Sequence, residues 1–381
     1  MSLMRVWLLV GWAVFANGQF PGVCVQNASI SKICCQTPPG FTDICAGPSR
    51  GVCADIPVHY DVMLNYSSQF LSLNDERFVW PIKFFTKTCY CLGNFYGPGC
   101  QHCKLGFYGS DCNLRNQLIR VEYRKQSPQR RQIYQNALNA SQTTLTGYEI
   151  LKSYQMKSAA EVKNLVFSST TWYGLWAWHL SYATDRRIVS SDSDQSVNPD
   201  TAGNGPGFAT WRRYFLLWIE RVMQQLANDT NLFIPYWDWT ADYSCAICSR
   251  SAAGYIKAGF LPSKYDVDLC LSKPFYDPTP ASRQNESFRA CLEGLDHRVR
   301  VVLGWNSVEQ AMNEPAFLNH LAFLDKIFAE WYNRKRPPPT QFPEQMTAPG
   351  QSLYSYMIPF LPMATHASML TATENLGYVY E

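Results

Sequence analysis

The chain predicts a mainly α-helical protein preceded by a small module held together by disulfides. Apolar residues in its C-terminal two-thirds recur at helical spacings of three and four. Ten of its 14 cysteines crowd between Cys24 and Cys112, in a stretch rich in Gly and Pro and without helical periodicity. With 381 residues, 46% hydrophobic and 14% aromatic, the chain can build one sizeable core and a smaller satellite. Its net charge of +3 is too weak to imply nucleic acid or an anionic membrane surface as a partner.

Residues 1–18 read as a signal peptide. Arg5 supplies the positive end, Val6 to Phe15 a short apolar stretch, and Ala16-Asn17-Gly18 the small residues for cleavage. That stretch is too short to span a bilayer, and no later segment reaches spanning length. The mature protein is therefore expected to be soluble in the secretory pathway, secreted or in an organelle lumen. The even cysteine count fits that compartment, as do sequons at Asn27, Asn65, Asn139, Asn228 and Asn285, each a candidate glycan site.

Residues 19–112 form the expected cysteine-rich domain, with Cys24, Cys34, Cys35, Cys45, Cys53, Cys89, Cys91, Cys100, Cys103 and Cys112. Its end combines a tight cysteine ladder with the turns Gly93-Asn-Phe-Tyr-Gly97 and Gly106-Phe-Tyr-Gly109, and resembles an EGF-like or laminin-like module. Zinc is the alternative use of such cysteines, but behind a signal peptide disulfides are favoured. A boundary follows near 113, so that 113–381 is the helical domain. Ser127-Pro128 opens its first helix as N-cap and first helical residue. The basic residues nearby (Arg124, Lys125, Arg130, Arg131) read as a solvated face.

Trp172 to Thr184 is an apolar helix that carries His179. Ser190 to Gly207 is a polar loop. Trp211 to Leu226 places Trp211, Phe215, Trp218, Ile219, Val222 and Leu226 on one face. Pro315 to Trp331 does the same, and Arg334-Lys335-Arg336 followed by three prolines closes that helix.

Phe233-Ile-Pro-Tyr-Trp-Asp-Trp239 is on physical grounds only a rigid aromatic turn. Together with Trp211-Arg-Arg-Tyr-Phe-Leu-Leu217 and Glu220, Cys245-Ala-Ile-Cys248, Leu292-Glu-Gly294, Pro315-Ala-Phe317 with Asp325, and Leu376-Gly-Tyr378, it resembles the vertebrate-type tyrosinases and tyrosinase-related proteins. The resemblance runs from about Phe20 to Glu381. It implies a tyrosinase-type four-helix-bundle core and the pairs Cys24–Cys34, Cys35–Cys53, Cys45–Cys89, Cys91–Cys100, Cys103–Cys112, Cys245–Cys248 and Cys270–Cys291.

It also implies a type-3 copper centre, with two ions each held by three neutral imidazoles, which oxidises phenols. The whole chain has six histidines, at 59, 102, 179, 297, 320 and 366. At the first copper the family's positions match His179, Gly203 and Arg212. At the second they match Asp296 and Arg300, or His297 and Val301 if the frame slips by one, and neither frame gives a pair. The last falls on Leu321, with His320 one residue early and ~100° round the helix. His179 is thus the sole clear match, and alone it reads more simply as a core histidine than as a ligand.

Arg212 and Arg300 cannot deprotonate and repel a metal; a unit charge at ~4 Å is worth ~4 kcal/mol at an effective dielectric of ~20. Two buried cations need an anion, and Asp296 is the candidate for an ion-pair cluster that fills the pocket. The expectation is a tyrosinase homologue with a degenerate dicopper site, no cofactor and no catalysis. It would serve as a lumenal or secreted partner of an active tyrosinase-family protein or of an extracellular protein. Two alternatives stand beside it. One is a monophenol/diphenol oxidase of melanin-type pigment synthesis whose copper site is rebuilt from His179, His297 and His320. The other is an extracellular interaction module that works through the cysteine-rich domain.

Overall fold

The computed structural model describes residues 19–25, 31–57, 77, 80–82, 84–156, 162–184, 200–242, 261–278, 281–342 and 350–381. The expected leader, Asn27, Asn65, His59, the first part of the 190–207 loop and the Cys245–Cys248 pair lie outside these residues.

The N-terminal segment consists of short strands: β1 (Gln19–Pro21), β2 (Ile33–Cys34), β3 (Gly51–Asp55), β4 (Lys87–Cys91), β5 (Phe95–Tyr96), β6 (His102–Cys103), β7 (Phe107–Tyr108) and β8 (Leu114–Arg115). β2, β4 and β3 form one small sheet, and β5–β6 and β7–β8 are two hairpins. The segment's own buried cluster holds only Cys45, Phe95, Cys100 and Cys112, too little apolar area to fold on. Cross-links make up the deficit by restricting the unfolded chain. The bonds are Cys24–Cys34, Cys35–Cys53, Cys45–Cys89, Cys91–Cys100 and Cys103–Cys112, with Cys270–Cys291 in the helical part.

β9 (Leu118–Arg120) leads to α1 (Pro128–Thr143), which Ser127 caps by accepting the Arg130 N–H at 3.2 Å. A long hairpin follows, β10 (Leu145–Met156) and β11 (Val162–Thr171), where the sequence reading has no strands. Its period-two runs of Tyr, Ile, Leu, Val and Thr were the signal. β1 pairs with β10, so the chain's first described strand joins a sheet of the helical part. Phe20 packs there against Phe84, Phe85 and Phe167 with ring centroids 5.0–5.3 Å apart.

The remaining helices are α2 (Trp172–Thr184), α3 (Phe208–Ala227), α4 (Lys264–Ser272), α5 (Phe288–Val302), α6 (Val308–Met312), α7 (Ala316–Lys335) and α8 (His366–Met369). α3 and α7 form the centre, and α3 is buried from Phe208 through Glu220. α7 ends where Arg336 turns left-handed (φ 45°) ahead of the prolines.

The C-terminal strand β12 (Tyr378–Tyr380) pairs in parallel with β9 and is fastened by buried charge. Arg120 holds Glu220 with two bonds (3.0 and 3.2 Å) and Asp325 with a third at 3.2 Å. Arg213 Nε donates to Asp325 at 2.6 Å, and the Tyr378 and Tyr380 hydroxyls donate to its other oxygen at 2.6 and 2.7 Å. Beside this strand, Gly106 and Gly377 pack backbone to backbone; both have positive φ, and a Cβ on either would strike the other's segment.

Candidate functional site

The positions that the resemblance assigns to copper come from α2, α3, α5, α7 and the loop 200–207. Each side chain there has a partner of another kind.

His179 on α2 is fully buried and ringed by aromatics. Its imidazole meets Trp218 edge-on at 4.6 Å, Phe360 at 5.0 Å and Trp178 at 5.4 Å. Phe360 also packs on Trp211, Tyr214, Phe215 and Trp218, so one ring fills the space above this histidine. The sequence reading does not single out Phe360; its apolar surroundings, Ile358-Pro-Phe-Leu-Pro362, were the available signal. Burial in this apolar nest pushes His179 down to about 3, which keeps it neutral.

Gly203 lies in a loop wound around Asp200. The Asp200 carboxylate accepts the N–H groups of Ala202 and Gly203 and the Asn204 amide, while Gln351 clasps the loop through Asp200 O, Asn204 O and the Gly207 N–H. A Cβ at Gly203 would run into the Asp200 carboxylate, so this loop conformation has no room for an imidazole there.

Arg212 on α3 stacks its guanidinium 3.7 Å over the Phe208 ring. It donates to Ala202 O and Phe208 O, and reaches the Asp296 carboxylate at 3.5 Å. Asp296 and Arg300 lie one turn apart on α5, with Arg300 Nε donating to Asp296 Oδ2 at 3.0 Å. His297 and Val301 are exposed on the other face, so the frame that points inward is Asp296 and Arg300. On α7, Leu321 is a buried apolar residue of the core. His320, one position earlier, meets Asp296 Oδ1 through Nε2 at 2.9 Å.

Trp239 fixes the state of His320. The indole N–H can only donate, and it donates to His320 Nδ1 at 3.1 Å. Nδ1 is therefore the acceptor, Nε2 carries the proton, and that proton goes to Asp296. Both ring nitrogens are committed, and burial holds the imidazole neutral against the pull of Asp296. Burial also raises Asp296, but Arg212, the His320 bond and Arg300 outweigh it and hold the carboxyl well below the usual carboxylate range. Asp200 and Glu293 add negative field at Arg212. The cluster Arg212–Asp296–Arg300–His320 is thus one connected network, with Arg300 at its partly exposed edge and Arg212 Nε as its one buried donor without an acceptor.

Among the described residues, the one group of three His, Cys, Asp or Glu side chains with convergent donor atoms is Cys35, Cys45 and Cys89, whose sulfurs are all in disulfides. His179, His297 and His320 do not share a focus.

His366 is buried too, with Nδ1 2.6 Å from Thr210 Oγ1, Nε2 2.7 Å from Gly350 O, and Phe342 stacked at 5.5 Å. Burial pushes it from 6.5 down to about 4. The unfolded chain takes up this proton below about 6.5 and the folded chain does not. The stability from this residue is full above about pH 6.5 and is lost as pH falls toward 4, on the order of 1–2 kcal/mol by pH 5. Thermal melts between pH 7.5 and 5 should show falling stability, with a shallower decline in His366→Gln. An equal slope in the two proteins would count against this assignment.

Residues 169–302 match the family model described as the common central domain of tyrosinase. Over 95% of its length the chain is 30% identical to tyrosinase of Felis catus, of which the match spans 82%. It is 28% identical to tyrosinase of Pelophylax lessonae over 96% of this chain and 81% of the relative. It is 25% identical to the 5,6-dihydroxyindole-2-carboxylic acid oxidase of Gallus gallus, over the whole of this chain and 85% of the relative. Among solved structures, latent apple tyrosinase overlays with a TM-score of 0.44 at 16% identity, covering 70% of this chain and 63% of that one. The chain belongs to the tyrosinase family.

Proposed function

We propose that this chain is a non-catalytic member of the family, whose dicopper pocket is refilled by a charge cluster and which works as a binding partner in the secretory lumen or outside the cell. The observation that carries the reading is Asp296, whose two oxygens serve Arg212, Arg300 and His320. The donor set does not fit two copper ions. His320 spends both ring nitrogens on Trp239 and Asp296, His179 sits under Phe360 among indoles, and the remaining positions offer glycine, guanidinium and leucine. His320 would have to give up two buried hydrogen bonds before it could ligate, and His179 would have to displace the Phe360 ring packed on it.

A binding role draws support from the surface. Val52 and Tyr90 are register partners on β3 and β4, exposed at 42% and 61%. The sequon residues Asn139, Asn228 and Asn285 are exposed as well, as glycan acceptors must be.

Oxygen uptake with catechol tests the reading. The secreted chain, produced with copper in the medium, should show no turnover above buffer. Turnover that rises with copper load would establish the oxidase and defeat the proposal.

A further inference from the structure

We infer that a second site, apart from the four-helix centre, binds an amphipathic monoanion: an apolar body with one carboxylate-type head, seated between the cysteine-rich segment and α3. A cavity of about 750 Å³ lies there, within the range of small-molecule sites. Its walls come from β4, β5 and residues 54–57 on one side, and from α3 and the stretch 356–376 on the other. Leu217, Leu361, Met363 and Leu376 make much of the surface apolar.

The charges on this cavity are mostly positive. Lys104, Arg115 and Arg221 line it, and the lone lining carboxylate, Asp55, is already 3.5 Å from Lys87. Arg221 is the informative residue. Arg120, Arg212, Arg213 and Arg289 are also buried, and each meets a carboxylate. Among the described residues no carboxylate pairs with Arg221. Its Nε is buried without an acceptor, its guanidinium lies 5.9 Å from the centroid of the Tyr96 ring, and among the described residues its one hydrogen bond is a long 3.5 Å contact to Gln224. A guanidinium cannot shed its proton, so a partly buried one calls for an anion. Among the described residues none is paired with it, and the cavity that Arg221 lines is where one can enter. Lys104, also on the lining, gives Nζ to Gly93 O at 2.6 Å and adds a second positive charge to the cavity. A mainly apolar lining that carries cations selects an amphiphile over a sugar or a free inorganic ion.

This inference concerns different residues from the copper question and stands or falls separately. The test is fluorescence titration of the full secreted, delipidated chain with anilinonaphthalene sulfonate, followed by displacement with dodecanoate or dodecanol. One saturable site is expected, from which dodecanoate displaces the dye at least about tenfold better than the alcohol, the size of one charge-assisted contact. Arg221→Gln should remove that preference without lowering the melting temperature of the unliganded protein, because it deletes an unpaired charge. Ala364→Trp, which narrows the cavity, should weaken both displacers. Dye binding that does not saturate, equal displacement by acid and alcohol, or a preference that survives Arg221→Gln would overturn the site.

Discussion

Asp325→Ala should lower stability by ~3–5 kcal/mol and sharply reduce secreted yield. The carboxylate is buried and takes bonds from Arg120, Arg213, Tyr378 and Tyr380. Removing it leaves Arg213, stacked 4.1 Å over Phe328, without a carboxylate, and Arg120, stacked 3.7 Å over Tyr378, with Glu220 alone. It also frees both tyrosines that hold β12 to the centre. Glu220 keeps Arg120 charged and partly paired, so Asp325→Asn, which preserves shape and some hydrogen bonds, should cost less than Ala. A thermal melt of Asp325→Ala within a degree of the parent would show that the network is not the anchor described.

Asp296→Ala should cost a similar ~3–5 kcal/mol by the same logic. Here the stranded groups are Arg212 and, in part, Arg300, whose side chain is 30% exposed and can turn to water. His320 loses its acceptor as well. The diagnostic is the combination. Exchanging both partners for apolar residues of similar size, as in Arg212→Met with Asp296→Leu, should be milder than Asp296→Ala alone, because only Arg300, which can turn to water, is left without its carboxylate. Additive losses would mean that the two side chains act independently.

Acid acts on the same cluster. The Asp296 carboxyl is depressed in the fold, so its contribution is complete above the unfolded value near 3.8 and fades only as pH falls below it. The buried histidines therefore weaken the fold first on acidification, through His366, His179 and the cluster's own His320, and the Asp296 carboxylate later.

Much of this was legible in the sequence, for identifiable reasons. Ser127-Pro128 predicts its helix start because capping is local chemistry. Arg212, Asp296 and Arg300 stand out because charged residues occupy positions that the family resemblance reserves for imidazole, and like charges in a core imply a counter-ion. What escaped depends on distant parts of the chain. The Trp239–His320–Asp296 relay joins an aromatic turn to two helices, and only the fold reveals that the histidine one place too early is the one that faces Asp296. Phe360 over His179 comes from a segment with no periodicity to mark it. The β10–β11 hairpin was hidden by the helical character of its neighbours, although its own alternation is plain.

The central claim is that this pocket is closed by its own side chains against two metal ions. Copper counted per chain by mass spectrometry, on protein secreted into copper-supplemented medium and freed of loosely held metal, tests it most directly. The account predicts far less than one copper per chain, unchanged in Asp296→Asn. Two coppers per chain, lost when His179 and His320 are replaced, would contradict it.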